Sequence, residues 1–201
     1  MDKKVANIFP TTIVAYDNPK YLDHNTKILQ LLDKEEFSPP PDQPFQTIDN
    51  HLERREEFQE LYSWFYECLE DYRKTFRYDC DTFEIVLSWA NKSDKTGAHK
   101  PHIHPNSFLS AIYYISENPS PTFFEDPRYQ IRTGIVIRSA TPIGHNVWPC
   151  PSETGSLVIF PSWLEHYTDA QENLKGWRYT ISFNVLPRNI VNEGTLIEAN
   201  Y

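Results

Sequence analysis

Apolar residues return every three or four positions from about Leu52 to Arg77: Phe58, Leu61, Phe65, Leu69, Tyr72 and Phe76. That period gathers them on one stripe of an α-helix, and the mixed charges of "HLERREEFQE" form its solvated face. At about 1.5 Å per residue such a helix is long enough to back a whole sheet. A shorter helical pattern covers "YLDHNTKILQLLDKE" at 21–35, and residues 5–16 mix Ile, Val, Thr and Phe as a strand does. The prolines of "FSPPPDQPF" punctuate the chain between the two helical segments.

After Asp79 the texture changes. "TFEIVLSWAN", "NSFLSAIYYI", "PTFFED", "YQIRTGIVIRSA", "GSLVIFPSWLEHY" and "GWRYTISFNVLP" are short aromatic and β-branched runs separated by Gly, Pro, Asn, Asp and Ser. Strands at that rhythm predict a sandwich or a barrel-like jelly roll rather than parallel βαβ units. The expectation is an α+β fold in one domain, 1–201, with about eight core strands over roughly 83–187 and the 53–77 helix on their outer face.

Two of these runs sort their polar residues by parity. In the last, Arg178, Thr180, Ser182 and Asn184 share one face, and Tyr179, Ile181, Phe183 and Val185 share the other. A polar face turned between sheets marks a site rather than a core, and an arginine held there needs an anion. Just before the other, "NSFLSAIYYI", His102 and His104 lie two apart, so an extended strand would bring both imidazoles to one point. The same parity would add Asn106, Ser110 and Tyr114 to that side.

Charge and cysteine content narrow the field. A formal charge of -9 and a pI near 5.2 disfavour phosphate backbones and anionic membrane faces as partners. Cys68, Cys80 and Cys150 are odd in number and widely spaced, which argues against a disulfide framework and for a reducing cytoplasm. No apolar run approaches the length of a membrane span, so neither export nor insertion is expected.

His99, His102 and His104 fall within six positions. His99, flanked by Lys95 and Lys100, reads as a solvated loop residue; His24, His51 and His145 read as structural. His166 ends an apolar run, and Arg178 follows twelve residues later. Arg178 has a bland alternative, an ion pair with Glu165 or Asp126. Trp89, Trp163 and Tyr113 read as core aromatics.

A short His-x-His, a distant histidine and then an arginine resemble the Fe(II)/2-oxoglutarate-dependent oxygenases. More narrowly, "HIHPNSFLSAIYYIS", "FFEDPR", "GSLVIFPSWLEHY" and "RYTISFN" look like a subgroup of small oxygenases common in marine phages and bacteria, over roughly 83–187. The resemblance implies a double-stranded β-helix with N-terminal helices on its outer face, and an enzyme using Fe(II), 2-oxoglutarate and O2. It makes His102 and His166 iron ligands, with His104 where the family carries a carboxylate, and gives Arg178 the distal carboxylate of 2-oxoglutarate. Thr180 and Tyr114 would add hydroxyl donors to the co-substrate site, with Ser110 on the same face. A shifted register would instead turn His104 and Asn106 to the metal. The implied reaction is hydroxylation of an unidentified substrate with release of succinate and CO2; a homodimer is left open. Two other readings compete. A cupin-like metalloenzyme also begins His-x-His, but Phe108 and Leu109 stand where its glutamate would be. A non-catalytic jelly-roll module would carry His104 as the relic of a broken triad.

Overall fold

The computed structural model describes residues 2, 4, 9–38, 44–116, 121–128, 146–171 and 174–190. Two sheets face each other. The larger has seven strands in the order β1-β9-β6-β11-β4-β3-β2: β1 (Val14–Asp17), β9 (Ser156–Pro161), β6 (Leu109–Tyr114), β11 (Arg178–Ile190), β4 (Cys80–Ser93), β3 (Phe45–Thr47) and β2 (Phe37–Ser38). The smaller runs β5 (His99–His102), β10 (His166–Thr168), β7 (Thr122–Glu125) and β8 (Val147–Cys150). Every pairing between these strands is antiparallel. The architecture is the expected α+β double-stranded β-helix.

The β11 alternation decides how the layers stack. Ile181, Phe183 and Val185 are fully buried and join the main core with Tyr179. Helix α2 (Gln59–Thr75) covers that face, its Phe65 ring 5.0 Å from Phe183 and 5.3 Å from Tyr113. Burying each such phenylalanine is worth about 1.5–3 kcal/mol relative to exposure, so the helices hold the large sheet from outside. Helix α1 (Tyr21–Leu32) adds Ile28 and Leu32 to the same core. The opposite face of β11 is left to look at the smaller sheet.

Several boundaries differ from expectation. The long helical pattern is broken at Arg55, whose backbone is extended (φ -86, ψ 132), so two single-turn 3-10 segments, Leu52–Arg54 and Glu56–Phe58, precede α2. Arg55 is held there by Glu35 at 2.6 Å and Glu57 at 2.7 Å. The proline-punctuated stretch conceals a hairpin, β2 and β3, that extends the large sheet beyond β4. The strand expected over 129–140 lies outside the described residues. Among the described residues no helix is long and apolar enough to cross a membrane.

Candidate metal and co-substrate site

The smaller sheet brings the first two histidines together. His102 and His166 are directly opposed on β5 and β10, and their ring centroids lie 4.3 Å apart. His104 arrives differently. β5 ends at His102, and residues 103–108 form a turn around Pro105 and Asn106, the latter with a left-handed φ of 59. The turn is pinned by His104 N–H donating to Ser162 O at 2.9 Å and Ser162 N–H donating to Phe108 O at 3.1 Å. His102 and His104 therefore do not meet by strand parity, and the continuous strand from 102 to 114 does not form. The three imidazoles converge all the same, with one nitrogen of each within 4.8 Å of the others.

Their hydrogen bonds fix which nitrogen is free. His102 Nδ1 lies 2.7 Å from Lys100 O, and His166 Nδ1 lies 2.9 Å from Leu164 O. His104 Nδ1 lies 2.6 Å from Asn184 Oδ1, which also accepts from Ser110 Oγ at 3.0 Å. A carbonyl oxygen can only accept, so each Nδ1 carries the proton and each Nε2 keeps a lone pair. Burial drives two of the rings toward the neutral form: His166 is pushed down to about 3 and His104 to about 4, with the neighbouring imidazoles adding to the effect. For His104 the Asn184 contact works against that shift. Phe160, 4.7 Å from the His166 ring, is part of the apolar wall behind it.

These side chains line a cavity of about 250 Å³ between the sheets, which Arg178, Thr180, Ser182 and Asn184 also enter from β11. Among the described residues, no aspartate or glutamate lines it. Arg178 is buried, with a residue exposure of 8%, and among the described residues its Nε has no hydrogen-bond partner. Its guanidinium lies 5.8 Å over the Tyr114 ring. Burial lowers its pKa, and the neighbouring Tyr114 offsets the desolvation only in part. The alternative ion pair with Glu165 or Asp126 is not formed; Asp126 is engaged by Arg128 at 2.6 Å.

The remaining candidates divide. Thr180 faces the cavity, its Oγ1 accepting from Asn91 at 3.3 Å. Tyr114 is fully buried behind the wall, its hydroxyl 2.7 Å from Thr122 Oγ1. Ser110 is outside the lining and bonds Ser162 and Asn184, so it supports the asparagine that orients His104. Asn106 is exposed in its turn. His99 corrects the sequence reading: its ring lines the cavity rather than a solvated loop, and burial pushes it down to about 3. Trp89 is a further correction, since it lines the cavity and stacks 5.8 Å from the His104 ring. Trp163 is 55% exposed, whereas Tyr113 is in the core as expected. Asn184 drew no separate role in the sequence; its place on the polar face of β11 was the available signal.

Comparison with known proteins now adds to this geometry. Residues 87–184 match a family model described as "Putative 2OG-Fe(II) oxygenase". Over those residues the chain is similar to the Fe(II)/2-oxoglutarate-dependent oxygenases. Its fold is similar to that of HygX from Streptomyces hygroscopicus, solved with nickel and 2-oxoglutarate bound, at 12% identity and a TM-score of 0.62 over 88% of this chain and 83% of that one. A Pseudomonas putida prolyl-4-hydroxylase gives 11% identity and a TM-score of 0.60 over 89% and 94%. A Burkholderia pseudomallei oxidoreductase of the 2OG-Fe(II) oxygenase family gives 12% and 0.62 over 90% and 86%. Comparison with curated proteins gives no match. The donor set suits the cofactors of that family: imidazole is a good ligand for iron, and a buried guanidinium with no carboxylate partner among the described residues suits a carboxylate.

Proposed function

We propose that this oxygenase holds Fe(II) on His102, His104 and His166, takes the distal carboxylate of 2-oxoglutarate on Arg178, and hydroxylates a C–H bond of a substrate that enters the same cavity. One observation carries the reading: three imidazoles with their Nδ1 atoms committed to acceptors share a cavity with a buried guanidinium that pairs with no carboxylate among the described residues. Bound there, Fe(II) and 2-oxoglutarate would supply the oxidising power, O2 being spent on decarboxylation to succinate and CO2 and on the hydroxyl delivered to substrate.

The chain's own residues do the rest. Lys100 O, Leu164 O and Asn184 Oδ1 each engage the Nδ1 of one ring, which orients the three rings so that Nε2 is the nitrogen offered to a metal. His104 replaces the carboxylate of the usual facial triad, which makes the ligand set neutral and leaves the metal's charge to be balanced by the co-substrate. Arg178 fixes the far end of that dianion, with Tyr114 beneath the guanidinium as a flat support. Thr180 offers a hydroxyl on the same wall. Phe160, Phe124 and Trp89 keep bulk water away from the ligand rings. All three cysteines are free and buried, which suits the cytoplasm we infer for the protein.

The test is anaerobic addition of Fe(II) and 2-oxoglutarate, followed by the weak visible charge-transfer band of the chelate, with iron stoichiometry in His102→Ala, His104→Ala and His166→Ala. Each variant is expected to lose iron while remaining folded. Full iron in His104→Ala alone would remove it from the ligand set, and full iron in all three would favour the non-catalytic module.

A further inference from the structure

The loaded site does not balance its charge with the chain's own residues. Three imidazoles that each engage a carbonyl oxygen through Nδ1 are neutral ligands. Fe(II) brings two positive charges, 2-oxoglutarate two negative ones and Arg178 one positive, so a single positive charge is left over. A carboxylate at position 104, as in the usual facial triad, would cancel it. His104 leaves it standing.

Among the described residues no acid on the cavity wall makes up the difference. Apart from Arg178 and the histidines, the lining side chains are neutral, Gln46, Asn91 and Ser93 among them. Asp94, Glu165 and Asp169 each adjoin a lining residue in the chain, yet none of the three lines the cavity, and Asp94 opens instead onto a neighbouring one with Pro44 and Phe45.

The hydrogen bonds of the wall point the same way. Trp89 Nε1–H can only donate, and it lies 3.1 Å from Asn91 Oδ1. That contact fixes the amide, so Asn91 Nδ2 donates to Thr180 Oγ1 at 3.3 Å and to Ser182 Oγ at 3.0 Å. Both hydroxyls accept from the protein and, among the described residues, keep their hydrogens for a ligand. Asn184 Oδ1 is likewise taken, by His104 and Ser110. The wall therefore presents donors while the amide oxygens of Asn91 and Asn184 are spent. Ser182 is paired with Trp89 across β11 and β4, and Trp89 stacks on the His104 ring, so donors continue to the part of the wall that carries this ligand.

We propose that the substrate of this site is an anion: a compound bearing a carboxylate or phosphoryl group, whose negative charge completes the balance that His104 leaves open. This rests on the three-imidazole reading given above. A cavity of one sign with low-dielectric walls concentrates the opposite charge from solution, and here it does so within a chain whose net charge is -9. A buried charge without a partner is costly, so an acidic group gains binding that a neutral isostere cannot. A cationic substrate would meet no acid among the described lining residues.

The experiment adds formate, methyl phosphate or methylammonium, at constant ionic strength, to anaerobic protein loaded with Fe(II) and 2-oxoglutarate. Iron content and the charge-transfer band are recorded first, and binding is then followed by the shift of that band and by calorimetry. At least one anion is expected to bind and methylammonium is not; the tighter anion names the acidic group. His104→Asp, which supplies the missing negative charge, is expected to keep iron and 2-oxoglutarate and to weaken the anion at least about ten-fold. Asn184→Asp puts a carboxylate against the same ring and decides the matter where His104→Asp does not load; the same weakening is expected. No binding of either anion to loaded wild type, methylammonium binding as tightly as the anions, displacement of 2-oxoglutarate by the anion, or unchanged anion affinity in the loaded aspartate variant would each overturn the proposal. Wild type that takes up no iron, or iron but no 2-oxoglutarate, would instead remove the three-imidazole reading, and this inference with it.

Discussion

Replacing Asn184 with leucine tests whether the third imidazole is held by the contact the structure shows. Asn184 Oδ1 takes the Nδ1 proton of His104 at 2.6 Å and is itself fixed by Ser110 Oγ at 3.0 Å. Leucine is close in volume but has no acceptor, so the His104 N–H is left unpaired in a cavity wall, at a cost of about 1–3 kcal/mol to the folded protein. The ring also loses its orientation. Changes of this kind behind a metal ligand cost about 10- to 100-fold in metal affinity, which is about 1.4–2.7 kcal/mol. Asn184→Leu is therefore expected to weaken Fe(II) binding by one to two orders of magnitude in chelator competition, with circular dichroism and urea unfolding confirming a folded protein. Asn184→Asp restores the acceptor and adds charge, and should hold iron at least as well as wild type. Wild-type affinity in a folded Asn184→Leu would refute the argument, because it would mean that His104 needs no support from β11 or does not touch the metal.

Three further outcomes are expected. Arg178→Ala should raise the apparent 2-oxoglutarate constant about ten- to a hundred-fold in the anaerobic titration, from loss of a charge-assisted contact worth about 1.5–3 kcal/mol, with iron content unchanged. The metal-free protein should lose stability as pH falls from about 6.5 toward 4, measured by urea midpoints: unfolded histidines take up protons from the ordinary value of 6.5, whereas folded His104 and His166 do so only near 4 and 3, so the unfolded state binds more protons across that window. A flat stability profile there would contradict the burial of both rings. Phe65→Ala, which removes the ring between Phe183 and Tyr113, should cost about 3–5 kcal/mol of unfolding free energy without changing iron affinity in the protein that remains folded.

Where local chemistry and tertiary packing agreed, the chain could be read directly. The alternation at 178–185 placed its two faces correctly because a strand's period is two and each face had a different neighbour to satisfy. The stripe of Phe65, Leu69 and Tyr72 predicted a helix on a sheet for the same reason. The histidine cluster was visible, but the route by which His104 reaches it was not: the chain turns at Pro105 and the left-handed Asn106, and bonds to Ser162 and Val185, distant in sequence, fix the turn. His99 was misread because flanking lysines describe the outside of a strand and say nothing of the side chain facing in. Ser110 and Tyr114 have the right parity for the site, yet they lie behind its wall, since depth is not encoded by parity. The β2–β3 hairpin escaped notice because strands of two and three residues are too short to show a period.

The division of labour along β11 bears on how such a chain can change over generations. One face of Arg178–Ile190 is committed to the helices and the other to the cavity. Inserting or deleting a single residue between 178 and 184 would exchange the two, sending Ile181 and Phe183 toward the metal and Arg178 toward the core. Both losses would come at once, so no intermediate keeps either folding or chemistry. Lineages can therefore revise this strand only by exchanging side chains in place, and gains or losses of length must fall elsewhere, in the loops where a new substrate would be met.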